Sequence, residues 1–176
     1  MEFGALTVDL VMKRTGMSRS AFYHYFSGLD DLAVALLEQF EDEIRESVDP
    51  WLKGADAGEP LQATATHLTA MFEVMAKHRT DVRAVAQAAG GYPRVYRQWQ
   101  IRVVDYFIEL STEFIRRQVA LGLSAVKDPN RLAHALVQMN HAVFYDNLMR
   151  ETPDEPAAVA RVIADIWNGS IYGRTS

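Results

Sequence analysis

TGMSRSAFYHYF, Thr15 to Phe26, is the stretch from which the fold is read. A glycine and a serine stand between two short apolar segments, and the second segment is dense in aromatic residues. Thr7 can cap a helix running to about Arg14, Gly16 breaks it, and Ser18 can cap a second helix through Phe26. In each case a side-chain oxygen takes up a free N–H of a first helical turn. Two short helices joined by a tight glycine turn make a helix-turn-helix, whose second helix is shaped to enter a major groove. Ser18, Arg19 and Ser20 then lie at the positive end of that helix. There a cation can meet phosphate, and short hydroxyl side chains can approach base edges. Phe22, Tyr25 and Phe26 share one face at i, i+3 and i+4 spacing and are expected in the core, while Tyr23 and His24 point to other sides. The same geometry also serves as an ordinary helical hairpin with no nucleic-acid role.

Charge is compatible with a local reading head. The chain as a whole carries a net charge of −5, which argues against a general nucleic-acid coat. Between Thr7 and Phe26, however, Lys13, Arg14 and Arg19 face a single acid, Asp9, a local charge of +2.

The 176 residues, 49% hydrophobic and 23% charged, suffice for one sizeable core. There is no cysteine, so disulfides, thiolate nucleophiles and Cys-held metals are excluded. No signal-peptide pattern and no membrane-length apolar run occur, and a cytoplasmic location is expected.

Apolar residues recur at three- and four-residue spacing nearly throughout, with no convincing period-2 run, so the fold is expected to be all-α. A helix starting near Asp30 and Asp31 carries the stripe Leu32, Leu36, Leu37, Phe40 and Ile44 and should end before Pro50. Residues 53–60 read as a linker. A helix with Leu61, Leu68, Phe72 and Met75 follows, then a short one from about Thr80 to Ala89. One long helix should run from beyond Pro93 to about Leu121, with Gly122 ending it. Asp128-Pro129 and Asp154 with Pro156 open two last helices, to about Met149 and Ile171. The expected division is a DNA-binding module over residues 1–47 and a larger helical ligand-binding and dimerisation domain over 48–176.

The string VDLVMKRTGMSRSAFYHYFSGLDDL, Val8 to Leu32, resembles the DNA-binding segment of the TetR family of transcriptional regulators. Thr15, Gly16, Met17 and Ser18 match the family's turn, and Phe22, Tyr23, Tyr25 and Phe26 match its aromatic helix. The C-terminal IWNGSIYG, Ile166 to Gly173, is similar to the end of the EthR-like branch. The resemblance implies a dimeric repressor of a palindromic operator, with a pocket for a small, largely apolar inducer. It assigns DNA contact to Ser18, Arg19, Ser20, Tyr23 and His24. Two departures stand out. Leu29 occupies a position where the family usually has a lysine, and a helix's worth of sequence is expected before Thr7, to cover Val8, Val11, Met12, Phe22 and Phe26. These departures leave room for an alternative, a TetR-like ligand-binding or scaffolding dimer that has lost DNA binding.

For the pocket, the candidates are Trp99, Phe107, Phe114, Asn140, Phe144 and Trp167. QMNHAVF, Gln138 to Phe144, and Trp167 are similar to pocket-lining stretches of EthR-like proteins. Asn140 offers both donor and acceptor and could orient an ester, amide or acid carbonyl. Plain core packing is the competing reading of the aromatics. A homodimer face is expected on the last two helices, through Leu132, Leu136, Met139, Val143, Val159 and Ile163.

Catalysis finds no support. Glu38, Glu41, Asp42, Glu43 and Glu46 read as a solvated face, and His134 and His141 are two turns apart, too far for a His-x3-His metal site. Neither a phosphate-cradling glycine loop nor a nucleophile elbow occurs. No cofactor or metal is called for.

Overall fold

The structure, a computed structural model, describes residues 3–54 and 60–173, and among these every regular element is helical. After one 3-10 turn at Phe3–Ala5 come α1 (Val8–Thr15), α2 (Arg19–Tyr25) and the long α3 (Leu29–Leu52). Then follow α4 (Pro60–Lys77), α5 (Arg79–Gly91), α6 (Pro93–Trp99), a π-helical segment (Gln100–Asp105), α7 (Tyr106–Ala120), α8 (Pro129–Met149) and α9 (Pro156–Tyr172).

The local signals around the reading stretch act as expected. Thr7 accepts from the Leu10 N–H at 3.2 Å and Ser18 from that of Ala21 at 3.1 Å. Gly16 closes α1 in the left-handed region, φ 71°, where a Cβ would be strained. Ahead of α1, Phe3 is buried, donates its N–H to Gln87 Oε1 at 2.8 Å and stands edge-on to Tyr92. Met12 and Phe22 are buried, while Val8, Val11 and Phe26 are half-buried.

Two expectations need correction. The connecting helix does not end before Pro50; it continues to Leu52. An internal proline removes one helical bond, but Pro50 is exposed in the last turn, and that turn carries Trp51 and Leu52 into the core. Their burial offsets the lost bond. The long helix expected from Pro93 to Leu121 is interrupted by the π-helical segment, a widened turn of the kind found at functional sites. The last helix opens at Pro156 as expected, with Glu155 at its N-cap; the Asp154 backbone N–H and C=O are both taken by the Asn147 amide, at 2.8 and 3.1 Å. The expected linker falls largely on residues 55–59, outside the described residues.

The larger body is built by α3 on α4, α4 on α9 and α7 on α8. Leu37, Phe40, Leu68, Val85, Ile115 and Trp167 lie at its centre. α3 runs unbroken from the small module into this body, past residues 47 and 48.

Candidate functional site

Ser18, Arg19, Ser20, Tyr23 and His24 are all exposed, on one short helix held from below by Phe22, which is 1% exposed. Phe22 meets Tyr23 edge-on, with ring centroids 5.3 Å apart. Tyr25 departs from the expectation of a core residue, for it is 70% exposed. The backbone leaves helical geometry at Phe26, φ −131° and ψ 134°, and Phe26 is the residue that folds back to 5.5 Å from Phe22. Tyr25 is left beside His24, 5.0 Å away and edge-on, so Tyr23, His24 and Tyr25 form an exposed aromatic group. Of the three cations, Arg19 is paired with Asp9 at 2.7 Å. Lys13 and Arg14 have no ion-pair partner among the described residues. Leu29, the first residue of α3, packs against the apolar core.

The turn joining this head to α3 is pinned by Asp31, which accepts from the Ser27 N–H at 2.8 Å and from the Ser27 hydroxyl. Arg94, in the first turn of α6, reaches both Asp31 and, at 3.1 Å, Asp30. Those Ser27 hydrogen bonds, with the Arg94 guanidinium, hold the Asp31 carboxyl down at about 2.

Inside the larger body is a mostly apolar cavity. Its volume is about 60 Å³. Trp99, Phe107, Asn140, Phe144 and Trp167 line it, so the structure brings five of the six pocket candidates together. Phe114 is buried outside the lining, against Trp51 at 5.1 Å between rings. Two indoles are bonded to neighbouring residues of α8: Trp167 Nε1 donates to Asn140 Oδ1 and Trp99 Nε1 to His141 Nε2, both at 3.0 Å. An accepting Nε2 makes His141 a neutral imidazole, and burial lowers its pKa in the same direction. The lining also includes Ile44, Val48 and Trp51 of α3, Val103 and Val104 of the π-helical segment, and Ser111 of α7. Sequence reasoning missed Trp51, Ser111 and His141. The tryptophan at the end of the α3 stripe was the available signal, obscured by the expected stop before Pro50.

A polar seam backs the wall where α3 meets the π-helical segment. Arg102 binds Glu41 at 2.8 Å and Glu38 at 3.0 Å, and Arg45 donates to the Arg102 carbonyl at 2.9 Å. The Arg45 guanidinium lies 4.3 Å from the centre of the Tyr106 ring, and the Tyr106 hydroxyl donates to Asp49 at 2.7 Å. Glu41 is therefore buried and paired, contrary to its reading as part of a solvated face. Glu38, Glu41, Arg45 and Asp49 recur on one side of α3, at the helical period.

On α8 and α9, Val143, Val162 and Ile166 are exposed and share a shallow groove with Met139 and Val159. Leu132 is half-buried, whereas Leu136 and Ile163, expected on an outer face, are buried in the core. Among the described residues no cluster of three His, Asp or Glu is placed to hold a metal, and no helix is long and apolar enough to cross a membrane.

Comparison with known proteins agrees with this architecture. Residues 64–173 match the family described as transcriptional regulator EthR, C-terminal domain, and residues 2–36 match bacterial regulatory proteins, tetR family. The chain is 26% identical over 184 residues to the HTH-type transcriptional regulator EthR of Mycolicibacterium smegmatis, covering 98% of this chain and 79% of that protein. It is 25% identical over 170 residues to the regulator of the same name from Mycobacterium tuberculosis, covering 96% and 78%. To the transcriptional regulator AcuR of Cereibacter sphaeroides it is 29% identical over 139 residues, 76% of this chain and 63% of AcuR. Members of this family regulate transcription and are not enzymes. The chain belongs to the TetR family of transcriptional regulators, in its EthR-like branch.

Proposed function

We propose that the protein is a cytoplasmic repressor that binds a palindromic operator as a homodimer and is released by a small, largely apolar inducer. Residues 1–47 act as the DNA-binding module and 48–176 as the ligand-binding and dimerisation domain. Ser18, Arg19, Ser20, Tyr23 and His24 contact the operator, with Tyr25 added because it is exposed beside them. Trp99, Phe107, Asn140, Phe144 and Trp167 hold the inducer, and Phe114 supports the wall from behind.

The observation that carries this reading is α3 itself. One helix starts at the turn below the reading head and contributes Ile44, Val48 and Trp51 to the cavity wall. A ligand changes a conformational equilibrium only by its differential affinity for the two forms. A ligand that fits better when α3 and the π-helical wall part therefore favours an altered head position. Pairing two copies through Met139, Val143, Val162 and Ile166 would set two heads about 34 to 36 Å apart, one turn of DNA. Induction is then a change of that spacing, with α3 as the lever.

The test is binding of the purified protein to DNA upstream of its own gene, titrated across salt, with unrelated DNA as control. Preference for the upstream DNA, falling steeply with salt, supports the repressor reading. Leu29 packed on the core and Arg19 held by Asp9 favour one second reading, a ligand-binding or scaffolding dimer without DNA binding. No preference at low salt would select it.

A further inference from the structure

The buried side chains that follow Pro93 recur every three or four residues except at one step. Val95 and Trp99 lie four apart and Val104 and Phe107 three, but Trp99 and Val104 lie five apart. Trp99 and Val104 nevertheless both line the cavity. An α-helix would set them on different sides, whereas the π-helical turn at Gln100–Asp105 takes one residue more per turn and brings both inward. The Gln100 amide spans the same five-residue step, donating to Asp105 Oδ1 at 3.0 Å. One residue in excess of an α-helix is thus built into the cavity wall. Among the described residues this segment is the one part of the wall that is not α-helical. It faces the chamber through Val103 and Val104. On α3 it is held twice through Arg102, whose guanidinium binds Glu38 and Glu41 and whose carbonyl accepts from Arg45 at 2.9 Å.

The chamber is closed as it stands. Its volume is about 60 Å³, whereas ligand pockets run to about 300–1,000 Å³ and a cavity that takes up benzene has about 150 Å³. A ligand therefore enters only if the wall moves. We propose that the π-helical turn is the gate: it swings outward to admit the ligand, and in doing so draws Arg102 away from Glu38, Glu41 and Arg45. This rests on the reading of the cavity as the inducer site and deepens it, by naming the part of the wall that yields. The excess residue supplies the slack, because it can be taken up at either end of the segment while α6 and α7 stay helical. Bonding at both ends is already mixed: the Gln100 N–H meets the carbonyls of Tyr96 and Arg97, and the Tyr106 N–H meets that of Val103. Closed, the turn is stitched to α3, and open it is not, so ligand binding and the seam oppose each other.

Two variants of the whole protein bias the gate in opposite directions. Deletion of Ile101, an exposed residue of the turn, leaves Trp99 and Val104 four apart, so that one α-helix joins the flanks with both side chains still inward. Arg102→Met removes the grip on Glu38 and Glu41. The probe is the hydrocarbon pentylbenzene, measured by equilibrium dialysis. The wild type should bind it, the deletion should weaken binding at least about tenfold, and Arg102→Met should tighten it about three- to tenfold. Amide hydrogen exchange without the probe reads the same opening: amides of the segment should exchange more slowly in the deletion and faster in Arg102→Met. Affinity shifts in the same direction, or none, overturn the proposal, as does a wild type that takes up no pentylbenzene. Should the deletion variant fail to fold, Arg102→Met decides alone, and unchanged or weaker binding overturns the gate. Release of operator DNA by the probe is scored separately. Opposite affinity shifts with DNA still bound to the wild type keep the gate and remove the inducer reading. DNA release with all three proteins binding the probe equally does the reverse.

Discussion

Trp167 and Asn140 are joined by a 3.0 Å hydrogen bond inside the protein, indole N–H to amide oxygen. An indole can only donate, so this bond fixes which way the Asn140 amide faces. Its oxygen is committed to Trp167, and its NH2 is the part available to a ligand. From sequence, loss of Asn140 was expected to weaken an inducer more than folding. The structure adds a structural duty, the bond to Trp167, beside the proposed contact with an inducer.

Asn140→Ala should therefore destabilise the protein by about 1–3 kcal/mol, because a buried indole N–H is left unpaired. Urea unfolding in a double-mutant cycle with Trp167→Phe measures the coupling. The second substitution should cost less in the Asn140→Ala background than in the wild type. Additive costs would mean that the bond contributes nothing.

Tyr25→Ala should change stability by no more than about 0.5 kcal/mol, since the side chain is largely in solvent. The same variant should weaken operator binding in a fluorescence anisotropy titration. Arg19→Ala should lower the salt slope of binding by about one, the loss of one phosphate contact. An unchanged slope would leave Arg19 committed to Asp9 even on DNA.

Arg102→Met should cost about 1–3 kcal/mol in stability, less than a fully buried pair, because Glu41 keeps Arg45 at 3.1 Å. Its more telling effect is on communication. With the seam between α3 and the π-helical segment opened, ligand should still bind while releasing DNA less effectively. DNA release as strong as in the wild type would show that the seam carries none of the coupling.

His141 gives a pH dependence of definite sign. Burial holds its folded pKa below the ordinary 6.5, favouring the neutral ring. That contribution to stability is complete above pH 6.5 and is lost as pH falls through the folded value. Protonation also places a proton on the nitrogen that accepts from Trp99. Thermal unfolding followed downward from pH 7 should therefore fall more steeply for the wild type than for His141→Gln, whose amide oxygen can still accept. Parallel curves would remove His141 from the account.

By itself the sequence determined what depends on neighbours along the chain. Thr7, Gly16 and Ser18 set the two short helices, since a cap and a left-handed turn need only the adjacent backbone. The three-to-four spacing set the all-helical fold, and the motif around Gly16 carried the family resemblance. Asn140 and Trp167 were legible as pocket candidates through the similarity of their stretches to pocket-lining stretches of EthR-like proteins, whereas periodicity alone read the aromatics as plain core.

Tertiary structure alone decided the rest. Tyr25 is exposed because Phe26 turns back and takes the place against Phe22. α3 passes Pro50 because burial of Trp51 and Leu52 outweighs one missing bond. The Arg102–Glu41 pairing joins residues 61 positions apart, and the π-helical turn interrupts a run that reads along the chain as one helix. Periodicity reports which side of a helix is apolar, but only packing decides what each side meets, and so which buried donors lack a partner within the protein.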